Sequence, residues 1–144
     1  MSHTYVQNFL HVVFSTKERR KIIPLDRRTK LWAYMAGVCS KAKILPHEIG
    51  GMDDHAHLLM QLPPTLSLSD AILEIKTSSS RWLGKSFAWQ RGFAAFSVSA
   101  SNKAAVVRYI QTQDVHHKKM DYDSELIALL KKHGVQYDPK YVLG

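Results

Sequence analysis

Cysteine is almost missing from this chain. Cys39 is the only one in 144 residues, so no internal disulfide can form and cysteine-rich zinc modules are excluded. Long apolar runs are missing too. None approaches the roughly 20 residues that cross a bilayer, and Met1-Ser-His-Thr-Tyr5 lacks the basic-then-apolar layout of a signal peptide. These absences predict a cytoplasmic protein with no membrane partner. There are no repeats, low-complexity tracts or linkers, which at this length predicts one domain over residues 1–144. Acidic residues are scarce: 12 stand against 20 Lys and Arg, for a net charge of +8. That surplus favours a polyanionic partner, nucleic acid first. What the chain does have is apolar content, 45% of its residues, enough to bury a core.

Along the chain, Tyr5 to Phe14 is rich in strand formers. The loop Ser15-Thr-Lys-Glu-Arg-Arg-Lys21 is polar and mostly basic. Leu31, Met35, Val38, Cys39 and Ala42 recur at helical spacing, predicting an amphipathic helix over about 26–43. Pro46 and Glu48 to Met52 read as a connection, and Gly50 and Gly51 suggest a bulge or a close backbone approach. A strand follows through Leu62 and ends at Pro63-Pro64. Leu68, Ile72, Ile75 and Trp82 mark a second helix at about 67–83, stopped by Gly84. Ala94 to Ser99 reads as a strand. Asn102 is the expected cap of a helix over about 103–119, and Ser124 that of another over about 125–133. The order strand, helix, strand, strand-or-hairpin partner, helix, strand, then helices predicts an α+β fold: an antiparallel sheet with helices packed on one face, ferredoxin-like, plus C-terminal helices carrying Tyr109.

Two clusters carry chemistry. In Asp54-His-Ala-His-Leu-Leu59, alternate strand side chains share a side, so His55 and His57 face one way and Ala56 the other. Two such imidazoles are half of a metal site, although two polar groups on an open sheet face read the same way. On the 103–119 helix, Tyr109 and Gln113 lie one turn apart on one face, with Asn102 and His116 in the same stripe. Spacing alone leaves open whether this is a site or an ordinary amphipathic helix whose tyrosine packs at the core edge.

Several segments in order resemble the single-tyrosine HUH transposases of small insertion sequences and their REP-associated relatives. They are His11-Val-Val-Phe-Ser-Thr-Lys17, Asp54 to Leu59, Trp89-Gln-Arg-Gly-Phe-Ala-Ala-Phe-Ser-Val-Ser99, Tyr109-Ile-Gln-Thr-Gln-Asp-Val-His-His-Lys118, Leu129 to Gly134 and Tyr137 to Tyr141. Asp53 and Ala56 depart from the family pattern, and Ala56 touches the packing behind the histidines rather than a ligand position.

The resemblance implies that His55, His57 and Gln113 bind one divalent metal, Mg²⁺ or Mn²⁺, and that Tyr109 is the nucleophile. It implies cleavage and rejoining of single-stranded DNA at hairpin-marked element ends, through a 5′-phosphotyrosine, by a homodimer; in many members the tyrosine helix of one subunit serves the histidine pair of the other, and the sequence leaves open whether Tyr109 acts within its own chain or across the dimer. Asp54 and His116 are candidates for orienting the ligands from behind, although Asp54 also reads as a breaker of the strand edge. His116 and His117 could contact phosphate or act near the metal, but two exposed helix-end histidines is the simpler reading. Lys17, Arg19, Arg20, Lys21, Lys76, Arg81, Lys118 and Lys119 are candidates for tracking the DNA backbone. Trp82, Trp89 and Phe93 have the chemistry to stack bases, but core packing is the simpler assignment for each. A replication-initiator or relaxase nickase, and a non-catalytic basic DNA-binding module, are the alternatives. The short chain and its single motif tyrosine argue against the first, and the intact His, Tyr and Gln set against the second.

Overall fold

The computed structural model describes residues 3–143; Met1 and Ser2, the start of the segment read for a leader, and Gly144 at the tail's end lie outside it. Four strands, β1 (Phe9–Ser15), β2 (Leu45–Gly51), β3 (His55–Gln61) and β4 (Ala94–Val98), form one sheet in the order β2-β3-β1-β4 with every pairing antiparallel. The helix α1 (Leu25–Lys41) links β1 to β2, and α2 (Leu68–Leu83) links β3 to β4. Three helices follow β4: α3 (Lys103–Gln111), α4 (Gln113–His116) and α5 (Tyr122–Lys132).

The two central strands are buried on both sides, so both faces of the sheet need cover. Val12 and Phe14 of β1, with Ala56, Leu58 and Met60 of β3, point to one face. There they meet Leu31, Met35 and Cys39, spaced by four along α1, and Ala71, Ile72 and Ile75 of α2. The opposite set, Phe9, Val13 and Leu59, joins Phe96 and Val98 of β4 beneath Ile110 of α3 and Leu126, Leu129 and Leu130 of α5. Helices therefore cover both faces, and only α1 and α2 occupy the single face expected from the sequence. The C-terminal helices fill the other, and this places their polar side chains over His55 and His57.

Other boundaries differ for local reasons. The second strand expected between the two helices is the edge strand β2, and it takes up the stretch read as leading into the histidine strand; it admits Pro46 because the register shifts between Pro46 and Glu48 and an edge strand can spare a donor. The helix expected over about 103–119 breaks at Thr112, whose hydroxyl donates to the Arg108 carbonyl at 2.8 Å and so competes with the backbone ladder. Asn102 makes no side-chain cap bond. The last helix starts at Tyr122, not near 125, because Asp121 caps it by accepting from the Ser124 amide at 2.9 Å.

Gly50 fixes how closely α3 lies on the sheet. A Cβ there would come 2.9 Å from Ile110 Cγ2 and 3.1 Å from the Ile110 carbonyl oxygen. Gly50 is the pairing partner of His57, so this approach sets the height of the tyrosine helix over the histidines. Gly50→Ala should lift α3 and cost about 1–3 kcal/mol, in the range of overpacked cores, as a lowered urea midpoint with an unchanged slope.

Candidate active site

The β3 register puts His57 opposite Val13 and His55 opposite Ser15, both rings on the face covered by α3 and α5. Each imidazole has one nitrogen already engaged. His55 Nδ1 donates to Asp54 Oδ1 at 2.7 Å, and His57 Nδ1 lies 2.8 Å from Nε2 of His11, a buried residue of β1. The two Nε2 atoms remain, and both point inward. His55 Nε2 is 2.9 Å from Gln113 Oε1 and 3.3 Å from Glu125 Oε1; His57 Nε2 is 3.1 Å from Glu125 Oε1.

Glu125 ties the pocket together. Its Oε1 also meets His117 Nε2 at 3.1 Å, while its Oε2 accepts from the Tyr109 hydroxyl and from Gln113 Nε2, the latter at 3.1 Å. The phenol and the histidine pair thus share one carboxylate within one chain. Only 1% of Glu125 is exposed, and none of His55 or His57. A buried carboxylate needs such a set of partners. Burial would push its pKa up, but the bonds from His117, His55 and His57 hold it well below the usual carboxylate range. Burial would likewise depress His55, but Asp54 and Glu125 reverse this and raise it to about 9. His57 is lowered by burial despite Glu125. His11 falls to about 3, through burial and the neighbouring His57, and so is neutral behind the pair. Burial, then the carboxylate beside it, raises the Tyr109 phenol far above its ordinary value.

The donor set suits a divalent cation. Ligand atoms of His55, His57 and Glu125 lie within 4.8 Å of one another. The separations of 2.9–3.3 Å among these donors and Gln113 Oε1 match ligands at right angles about 2.1 Å from one ion, which are about 3.0 Å apart. Nitrogen from two imidazoles with oxygen from a carboxylate and an amide is borderline chemistry, compatible with Mn²⁺ as well as Mg²⁺. Beside this pocket, a cavity of about 140 Å³ opens between α3 and α5 against Tyr109 and His11, with Lys132 at its wall.

Residues 4–113 match the family model described as "Transposase IS200 like". The chain belongs to the IS200-like transposase family. It is 27% identical over 124 residues to the transposase for insertion sequence element IS200 of Salmonella typhimurium, covering 78% of this chain and 81% of that one, and the Salmonella typhi protein matches equally. Among solved structures, the fold is similar to a REP-associated tyrosine transposase bound to a REP hairpin, with TM-score 0.64 at 17% identity, over 95% of this chain and 87% of that one. It is also similar to a Deinococcus radiodurans protein described as a transposase, with TM-score 0.62 at 19% identity, over 78% and 96% of the two chains. In this transposase the matched segment holds His55, His57, Tyr109 and Gln113, while His117 and Glu125 lie beyond it.

The structure brings together His55, His57, Tyr109, Gln113 and Asp54 of the residues selected from sequence. His116 stands elsewhere: its ring stacks on Tyr109 at 4.5 Å and its Nε2 is 3.1 Å from the Thr112 hydroxyl, while His117 reaches the pocket. Glu125 and His11 were not foreseen. A signal for Glu125 exists in the chain, since it stands among Tyr122, Leu126, Leu129 and Leu130 on the buried stripe of α5, where an acid needs a partner. A helix start placed near 125 hides that stripe.

The basic candidates divide. Arg19 is held by Asp123 at 2.8 Å and Arg20 by Glu18 at 3.0 Å. Lys76 is a structural tie: half-buried, it donates to the Gln90 and Gly92 carbonyls, and burial lowers its pKa to about 8. Lys17, Lys21, Arg81, Lys118 and Lys119 are exposed. Trp82 stacks on Tyr34 and Arg27, and Trp89 packs edge-on to Phe14 and Phe87. Phe93 differs, with 38% of its surface exposed. Among the described residues no helix is long and apolar enough to cross a membrane.

Proposed function

We propose that this transposase cleaves and rejoins single-stranded DNA at hairpin-marked ends through a 5′-phosphotyrosine. The observation that carries the reading is the sharing of Glu125 by the Tyr109 phenol and the His55/His57 pair. Tyr109 Oη attacks phosphorus and the bond to the 3′ oxygen breaks; that oxygen takes up a proton and leaves as a 3′-hydroxyl. Glu125 Oε2 accepts the phenol's hydrogen bond and so orients Tyr109 Oη beside the histidine pair. The carboxylate's own pKa lies far below the usual range, and the phenolic proton passes to water as the bond to phosphorus forms. In the second step a 3′-hydroxyl from another end attacks the same phosphorus, and Tyr109 departs as a phenol. The phosphodiester energy stays in the covalent bond, so no nucleotide triphosphate is consumed.

His55, His57, Gln113 and Glu125 would hold the cation, Mg²⁺ or Mn²⁺. It supplies Lewis-acid polarisation of the scissile phosphate and neutralises its developing charge. Asp54 and His11 fix the two ring orientations from behind. Lys17, Lys21, Arg81, Lys118 and Lys119 are free to follow the DNA backbone. Arg19 and Arg20 could do so only by sharing their present partners. Tyr109 meets the His pair within its own chain, so the reading requires no exchange of helices in the homodimer that the resemblance implies.

The test is incubation of the full chain with end-labelled hairpin DNA carrying single-stranded flanks, with Mn²⁺ or Mg²⁺. A covalent protein–DNA species resistant to denaturation should form, vanish with EDTA and be absent from His57→Ala. Binding should weaken steeply with salt. Hairpin binding with no adduct, unchanged by EDTA and by His57→Ala, would overturn the reading in favour of a non-catalytic DNA-binding module.

A further inference from the structure

A cavity of about 270 Å³ is lined in part by Tyr122, and none of His55, His57, Tyr109, Gln113 or Glu125 is on its walls. Its walls include Phe93, Tyr122, Tyr137 and Tyr141, together with Arg19 and Arg91. The Tyr122 residue is shared: it lines the cavity, and its ring centre is 4.7 Å from that of His55, so the cavity neighbours the candidate cation ligands. We infer that this cavity takes a single unpaired nucleobase flanking the cleaved phosphate, an inference that rests on the transposase reading.

Three features point to a base. Aromatic faces stack on any base, and two aromatics of this lining are accessible, Phe93 being 38% and Tyr141 65% exposed. Guanidinium groups donate to the ring-nitrogen and carbonyl acceptors of bases. Arg19 is already oriented by Asp123 at 2.8 Å and lies 5.6 Å from the centre of the Tyr122 ring. Finally, the volume falls just below the range of about 300–1,000 Å³ of ordinary small-molecule pockets. That size suits one planar ring system whose sugar and phosphate stay outside. The rim is also held in place, because Lys76 ties the carbonyls of Gln90 and Gly92, the residues on either side of Arg91. A phosphate at His55 and a base beside Tyr122 are then neighbours along one strand, and the cavity would read or anchor the nucleotide beside the break.

The probe is a hairpin oligonucleotide whose single-stranded flank carries 2-aminopurine, or an abasic sugar, at each position around the mapped cleavage site in turn. With the full-length protein, 2-aminopurine at one position adjacent to the cleaved bond should be quenched on binding. An abasic sugar there should weaken affinity roughly 5- to 150-fold, the loss of one stacked base. In Phe93→Ala that penalty should shrink towards nothing, and Phe93→Trp should restore it. Tyr141→Ala, at a more exposed position, gives an independent second reading. Hairpin DNA that binds and forms the adduct, but with an abasic penalty equal in the wild type and both alanine variants, would overturn the base pocket alone. Failure to form the adduct with any oligonucleotide would overturn the transposition chemistry and this inference together.

Discussion

Tyr109→Phe should form no covalent adduct with hairpin DNA while still binding it. Removing a nucleophile costs many orders of magnitude, at least about 10⁴-fold where measured in enzymes that attack covalently. Affinity for the hairpin should change little, because contacts to the phosphate backbone dominate nucleic-acid binding and the phenol points at Glu125 rather than outward. The hydroxyl donates to an ionised carboxylate, so the variant should also lose about 1.5–3 kcal/mol of stability, visible in urea titration. A Tyr109→Phe protein that still yields the denaturation-resistant species would mean that another residue is the nucleophile.

The second large effect belongs to Glu125. Glu125→Ala removes the acceptor shared by His55, His57, His117, Gln113 and Tyr109. Stranding buried partners in this way costs about 3–5 kcal/mol. Glu125→Gln keeps the shape but loses the charge. Its Mn²⁺ affinity by titration calorimetry should fall at least about tenfold, the scale on which even supporting residues of metal sites act. The same variant changes the pH dependence of the metal-free protein. His55 is raised from its ordinary 6.5 to about 9, with burial opposing and the bonds to Asp54 and Glu125 prevailing. A pKa higher in the folded state stabilises fully below about 6.5 and is lost as pH rises towards 9. Wild-type stability, measured with chelator present, should therefore carry a component that declines across pH 6.5–9, and Glu125→Gln should flatten it. An unchanged Mn²⁺ affinity in Glu125→Gln would remove Glu125 from the ligand set.

How much of this could be read beforehand follows from the range of the forces involved. The two-residue period of a strand is local, so the shared face of His55 and His57, with Ala56 turned into the core, was legible. The four-residue helical step likewise put Tyr109 and Gln113 together, and it survived the break at Thr112 because Gln113 restarts the helix immediately. Gly50 was legible as a close approach, though not that Ile110 is what approaches. The second helical layer was harder to see. It depends on Phe9, Val13 and Leu59 needing cover on the sheet face opposite α1 and α2, which is a property of the assembled sheet. Glu125 was hidden by a cap read three residues late: once Asp121 starts the helix, the acid falls on the buried stripe. His11 stands in the first strand, and its bond to His57 arises from two paired strands, beyond the reach of spacing in either one.

Transposition chemistry here needs a cation held beside the phenol by residues of one chain. Anomalous X-ray scattering from crystals of the protein grown with Mn²⁺ shows whether one is held there. One strong peak is expected about 2.0–2.3 Å from His55 Nε2, His57 Nε2 and a Glu125 carboxylate oxygen, with the Tyr109 side chain still against Glu125. Manganese bound elsewhere, or a peak at the histidines with Glu125 and Tyr109 turned away from it, would contradict this arrangement.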